Sequence, residues 1–295
     1  MYTPSVNLEY TSFDDFEYII TPNAKAVYNE ITYRFVSGVH SFTIIGNYGT
    51  GKSSFLLELK KELLSNNIHD LVTNKAVFNN SSDFEFLNVI GEYAPLVNLL
   101  EDKLQLASCG KVKNFLNALD SYYNELQKEH KFLFICIDEF GKVLEHAANY
   151  PDTEPYFMQQ LTEYVNASDK NIILLTTLHQ NFNTYAGKLN EAQRNEWSKV
   201  KGRFCDIIFH EPLEQLLFLA AKKIGKNADD LHELEQRTIL YDIAIRSKIV
   251  SNINMETINE LYPLEPFSAM ALTTAIQRYG QNERSLFSFL SSSHG

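Results

Sequence analysis

The residues Gly46-Asn47-Tyr48-Gly49-Thr50-Gly51-Lys52-Ser53, with Ser54 behind them, match the spacing G-x-x-x-x-G-K-[ST] in full. That spacing suits phosphate chemistry. The glycines let the backbone turn tightly and bring its N–H groups against phosphate oxygens. A helix starting near Lys52 would add its unpaired N–H groups and its dipole. Lys52 is expected to reach the β- and γ-phosphates of a nucleotide, and the Ser53 hydroxyl to hold Mg²⁺.

A second stretch, Lys131 to Lys142 (KFLFICIDEFGK), carries an acidic pair behind an apolar run. Adjacent carboxylates at the end of a buried segment are costly unless a positive charge meets them. The expected partner of Asp138 is the Mg²⁺ held by Ser53. Glu139 is then placed to orient and polarise an attacking water. A third stretch, Asn171 to Leu178, ends in a polar cluster of Thr176, Thr177, His179 and Gln180. A residue sensing the terminal phosphate would sit there. Thr177, Gln180 and His179 are comparable candidates, and spacing does not choose among them.

These residues need elements that hold them. Phe42-Thr43-Ile44-Ile45 predicts a buried strand before the glycine loop. The mixture of Phe55, Leu56 and Leu59 with Glu58, Lys60, Lys61 and Glu62 predicts an amphipathic helix after it. The unbroken run Phe132 to Ile137, and Asn171 to Leu178, suit strands buried on both faces of a parallel sheet. Further elements are expected around them. A helix from about Asn23 to Ser37 would be capped by Thr21, with Pro22 in its first turn and Gly38 at its end. A strand is expected over Lys75–Asn79, a largely helical stretch over 81–130, and a helix near 156–168. Tyr18 to Pro22 would either line an adenine pocket or supply ordinary core aromatics. A polar helix with the single Trp leads to Lys201-Gly202-Arg203-Phe204 and a short strand, Cys205 to Phe209.

From Pro212 the pattern is helical without strands: 213–225, 228–247, 255–261 and 266–279. Strands alternating with helices before, and helices alone after, predict two domains. These are an α/β core of three αβα layers over 1–210 and a small all-helical lid over 211–295. A last helix over Gln281 to Leu290 would carry Arg284 in its first turn. A cation there opposes the helix dipole, as suits a side chain reaching for an anion elsewhere. The chain stops at SSSHG without a closing element, the pattern of a piece of a longer protein.

Composition narrows the classes. The 295 residues are 44% hydrophobic and 13% aromatic, enough for a substantial core. A net charge of −11 argues against this segment gripping nucleic acid by itself. Cys109, Cys136 and Cys205 match no metal spacing and suit a reducing compartment. The N-terminus has no signal-peptide pattern, and no run reaches the ~18 apolar residues of a membrane helix. The expected location is the cytoplasm.

With GNYGTGKS, ICIDEF, LLTTLHQ, a GRF segment and a helical tail in that order, the chain resembles the AAA+ superfamily of P-loop ATPases over roughly residues 15–290. The resemblance implies ATP and Mg²⁺ as ligands, ATP hydrolysis, and a homo-oligomer in which neighbours complete each site. It implies that Arg203 in KVKGRFCD acts as an arginine finger on a neighbouring subunit, and that Arg284 in NERSLF contacts the γ-phosphate from the lid. YGTGKSSF, IDEFGKVLEH, EWSKVKGRF and QNERSLFSFL together are similar to the N-terminal ATPase modules of large bacterial multidomain proteins of the anti-phage defence type. That similarity implies attached domains or an effector. A nucleotide-gated scaffold with little turnover and a nucleic-acid-dependent motor are the alternatives. No NKxD-type guanine-reading motif follows the third strand, which weakens a GTPase reading.

Overall fold

A computed structural model of the chain describes residues 8–13, 16, 18–65, 70–79, 81, 83–106, 112–224, 234–247, 253–262 and 264–279. They form two compact units. The first takes in the described residues within Val6–Gly46 and Lys52–Phe209; the second takes in Asn47–Gly51 and those from His210 on.

The first unit is built on a parallel sheet in the order β2-β3-β4-β1-β5. Its strands are β1 (Ser41–Ile45), β2 (Asp83–Ile90), β3 (Lys131–Asp138), β4 (Ile172–Leu178) and β5 (Cys205–Ile208). Helices α1 (Pro22–Val36), α2 (Lys52–Leu64), α3 (Leu96–Lys103), α4 (Val112–Lys128), α5 (Phe140–Asn149), α6 (Glu154–Val165) and α7 (Glu191–Lys201) interleave with them. The two-residue period of β3 sorts its apolar run onto two cores. Leu133, Ile135 and Ile137 join Phe115, Phe140, Phe157 and Trp197 on one face. Phe132, Phe134 and Cys136 join Ile31, Phe35, Phe55 and Leu59 on the other. Helices α1 and α2 therefore cover one face and α4 to α7 the opposite one. This is the three-layer α/β arrangement expected from the apolar strands.

Helix α1 starts as its cap residues dictate. The Thr21 hydroxyl accepts the Ala24 N–H at 3.0 Å, Pro22 opens the helix, and Gly38 beyond its end takes φ +90°.

Three expectations are corrected. Lys75–Asn79 is not a strand: Lys75–Val77 is a 3-10 turn. The Asn74 side chain accepts the Ala76 N–H at 2.9 Å, and the Lys75 ammonium donates to the carbonyls of Leu63 and Ser65. These local bonds curl the backbone where a strand would need ladder partners. The second strand lies instead in Asp83–Ile90, within the stretch expected to be helical. It pairs with β3 along its whole length, from Asp83↔Lys131 to Ile90↔Asp138. As an edge strand it tolerates Asp83, Glu85 and Asn88, which break the apolar run. Helix α6 begins at Glu154 and ends at Val165, short of 168.

In the second unit, α8 (Leu213–Ile224), α9 (Leu234–Arg246), α10 (Met255–Glu260) and α11 (Pro266–Tyr279) pack on one another. Leu217, Ala221, Ile258 and Leu261 are buried there, and Asn254 caps α10 by accepting the Thr257 N–H at 2.8 Å. The expected helix over 281–290, with Arg284, and Cys109 lie outside the described residues. Among the described residues no helix is long and apolar enough to cross a membrane.

Candidate active site

The strand register decides which polar groups meet. Ile137 of β3 lies opposite Thr176 of β4, and Thr177 of β4 lies opposite Ile44 of β1. One step further along, Asp138 and Thr177 are neighbours at the C-terminal ends of their strands. The crevice beyond those ends is where ligands bind in parallel α/β sheets. Thr177 Oγ1 donates to Asp138 Oδ1 at 2.5 Å and accepts the Glu139 N–H at 3.0 Å. The Glu139 N–H also reaches Asp138 Oδ1, at 3.1 Å. Thr176 points the other way, with Oγ1 donating to the Phe42 carbonyl at 3.1 Å inside the sheet.

Asp138 is only 6% exposed, and Glu139 directly after it takes φ 54°, ψ 36°. That left-handed conformation is rare for a residue with a side chain and is held only where surroundings impose it. Glu139 is the N-cap residue of α5 but makes no side-chain cap bond. Its carboxylate is paired with Lys142, one turn into the helix.

Lys52 opens α2 and is 5% exposed. Its ammonium donates to the Gly46 carbonyl at 2.6 Å and faces His179 Nδ1 at 3.4 Å. Burial lowers its pKa to about 8, while the nearby charges of Asp138 and Glu139 pull it back up. His179, just past β4, is pushed down to about 3 by burial, then by the charges of Lys52 and Lys142. The imidazole is therefore neutral at neutral pH, and its Nδ1 lone pair is available to the Lys52 ammonium. Gln180 next to it is exposed. Of the three sensor candidates, Thr177 meets Asp138, His179 meets Lys52, and Gln180 extends to solvent.

Gly46 ends β1 with its N–H on the Leu178 carbonyl at 3.0 Å. The loop Asn47–Gly51 has two left-handed glycines, Gly49 (φ 71°) and Gly51 (φ 92°). A Cβ on Gly51 would meet nothing within 4 Å, so conformation rather than space requires glycine there. Thr50 Oγ1 donates to the Asn47 carbonyl at 2.9 Å, closing the turn. Tyr48 is 40% exposed, and Ser53 and Ser54 in the first turn of α2 are partly exposed.

Arg203 is placed apart from these groups. It precedes β5, which runs parallel to β1 from Phe42↔Cys205. It therefore sits at the N-terminal end of the sheet, whereas Lys52, Asp138 and Thr177 sit at the other. Its guanidinium is paired with Glu163 and donates to the Lys199 carbonyl at 3.1 Å.

Among the described residues no group of three or more His, Cys, Asp or Glu side chains could hold a metal ion alone. A hydroxyl and one carboxylate suit a cation that keeps most of its ligands as water and phosphate, as Mg²⁺ does.

Two glycines in the site carry no mark in the sequence. A Cβ on Gly91 would lie 2.4 Å from the Glu139 carbonyl oxygen, and one on Gly141 would lie 2.4 Å from Tyr185 Oη. Both needs arise from distant segments, so no local signal reveals them.

No family model matches the chain, and no curated protein matches it. Solved structures do. An ORC2 protein of Aeropyrum pernix, in ADPNP–ADP complexes, is 14% identical, with 83% of this chain and 70% of that chain covered and a TM-score of 0.45. The Aeropyrum pernix ORC1 protein in complex with DNA is 11% identical, with 93% and 65% covered and a TM-score of 0.44. Domain III of the Thermotoga maritima replication initiation protein DnaA is 12% identical, with 83% and 93% covered and a TM-score of 0.35. At such identities and scores these likenesses assign no role to any residue.

Proposed function

We propose that the chain binds ATP with Mg²⁺ and hydrolyses it, as a P-loop ATPase of the AAA+ kind. One observation carries this reading. A buried ammonium (Lys52), a buried carboxylate (Asp138) and a carboxylate on a strained backbone (Glu139) gather at the C-terminal strand ends, directly after a loop of the phosphate-binding spacing. A bound triphosphate would draw the Lys52 ammonium from the Gly46 carbonyl and His179 onto its own oxygens. The Ser53 hydroxyl and Asp138 would hold Mg²⁺, which when bound neutralises phosphate charge. Thr177, fixed on Asp138, orients that carboxylate. Glu139 would leave Lys142 to take the proton of the attacking water.

The test is steady-state ATPase turnover of the 295-residue chain beside two variants. Lys52→Ala should lose nucleotide binding while staying folded. Glu139→Gln should bind ATP normally and turn over at least about 100-fold more slowly. Tight ATP binding by Lys52→Ala, or unchanged turnover by Glu139→Gln, would sink the assignment.

A second reading, a nucleotide-gated scaffold with little turnover, is favoured by the pairing of Glu139 with Lys142, which occupies the hydrolytic carboxylate. Tight binding with almost no hydrolysis at any protein concentration would select it. In either reading we propose that the chain works as a homo-oligomer, with Arg203 completing a neighbour's site and Arg284 reaching the γ-phosphate in cis. Coupling to attached effector domains, in the manner of bacterial anti-phage proteins, is proposed on the motif resemblance alone.

A further inference from the structure

The proposed hydrolytic residue stands in a conformation that its own side chain disfavours, so something outside it must impose that conformation. Three elements converge on its peptide. From β4, Thr177 Oγ1 accepts the Glu139 N–H at 3.0 Å. From α5, the Lys142 N–H donates back to the Glu139 carbonyl at 3.1 Å. From the end of β2, Gly91 closes the third side. Its N–H donates to the Asp138 carbonyl at 2.6 Å, and the place a Cβ would occupy is taken. That Cβ would lie 2.4 Å from the Glu139 carbonyl oxygen, 2.8 Å from its carbonyl carbon and 3.0 Å from the Asp138 carbonyl oxygen. All three are backbone atoms, so no side chain can swing aside to make room. Gly91 is not among the residues with positive φ; it is glycine for space, not for conformational freedom.

Resting on the ATPase reading above, we infer that Gly91 is a positioning residue for hydrolysis: its missing side chain lets β2 press on the Asp138–Glu139 peptide and hold Glu139 left-handed, with its carboxylate over the site. Any larger residue would push the Glu139 carbonyl away and rotate the peptide. Lys52 and Ser53 belong to α2 and take no part in this contact. Nucleotide binding should therefore survive while turnover does not, which separates kcat from affinity.

The experiment compares Gly91→Ala, Glu139→Gln and the double variant. Single-turnover ATP hydrolysis is measured with enzyme in excess, alongside the Kd for a fluorescent ATP analogue. Gly91→Ala should hydrolyse at least about 100-fold more slowly and bind the analogue within about twofold of the parent. The double variant should be no slower than Glu139→Gln, because the two residues act through one carboxylate. Parental turnover by Gly91→Ala beside an impaired Glu139→Gln overturns this inference alone, as does a double variant showing the product of both losses. Parental turnover by Glu139→Gln overturns the hydrolytic reading and this inference with it. If Gly91→Ala does not fold, the Glu139→Gly background decides, because glycine at 139 lets the peptide yield. Recovery of folding there supports the contact, and continued failure overturns it.

Discussion

At the scale of single residues, the site depends on groups that hold one another in a defined charge state. His179 is the clearest case. Its folded pKa of about 3 lies below the ordinary histidine value, through burial first and then the charges of Lys52 and Lys142. The unfolded chain therefore binds a proton that the folded chain refuses between about pH 6.5 and 3, and this group makes stability fall as pH drops through that window. His179→Asn keeps an acceptor for Lys52 but cannot titrate. Urea denaturation midpoints from pH 7 to 4.5 should fall less steeply for the variant than for the parent; identical slopes would mean that His179 is not held neutral. His40, also lowered by burial, contributes equally to both chains and cancels. The same scale shows what the sequence left open. Thr176, Thr177, His179 and Gln180 could not be ranked because strand parity and register decide which hydroxyl faces Asp138. Gly91 could not be found at all, because its requirement comes from a backbone contact with a residue at the end of the next strand along the chain.

At the scale of elements, legibility followed burial. Strands β3 and β4 are buried on both faces, so each reads as an unbroken apolar run. The loop between β1 and α2 reads from its spacing alone. Strand β2 did not, because an edge position lets charged residues interrupt it, and the 3-10 turn at Lys75–Val77 borrowed its place. Beyond its hydrogen bonds, that turn has one fully buried apolar anchor. Phe78, directly after it, is 1% exposed and lies with its ring centroid 5.3–5.8 Å from those of Phe35, Phe84, Phe132 and Phe134. Val77 beside it is only partly buried. Phe78→Ala should cost about 3–5 kcal/mol of unfolding free energy, and Val77→Ala should cost far less. A strand packed on one face by alternate residues would spread the loss over several positions. Comparable costs at Val77 and Phe78 in chemical denaturation would therefore contradict the single-anchor turn.

At the scale of the whole molecule, the placement of Arg203 is the decisive feature. It precedes β5 at the end of the sheet opposite Lys52, Asp138 and Thr177, and a strand rises about 3.3 Å per residue. The β5 strand Cys205–Ile208 thus lies between Arg203 and the C-terminal strand ends where Lys52 and Asp138 sit. If Arg203 contributes to hydrolysis, it must do so for a second copy of the chain. Glu163 holds it in place, supported by Gln159 and Gln160, which donate to the same carboxylate. A subunit-mixing experiment tests this whatever the size of the ring. On the proposed ATPase reading, Lys52→Ala would have a dead nucleotide site but still offer Arg203. Arg203→Ala has an intact site but offers nothing to its neighbour. Each alone should turn over ATP at least about 100-fold more slowly than the parent, the lower end of what an arginine finger contributes being about a thousandfold. Mixed, they should regain activity, because some Arg203→Ala sites then face a neighbour that still carries the arginine. The regained rate should rise with the proportion of Lys52→Ala and then fall as competent sites are diluted out. A mixture no faster than the sum of its parts would remove Arg203 from the trans role. It would leave the pair with Glu163 as a brace between α6 and β5.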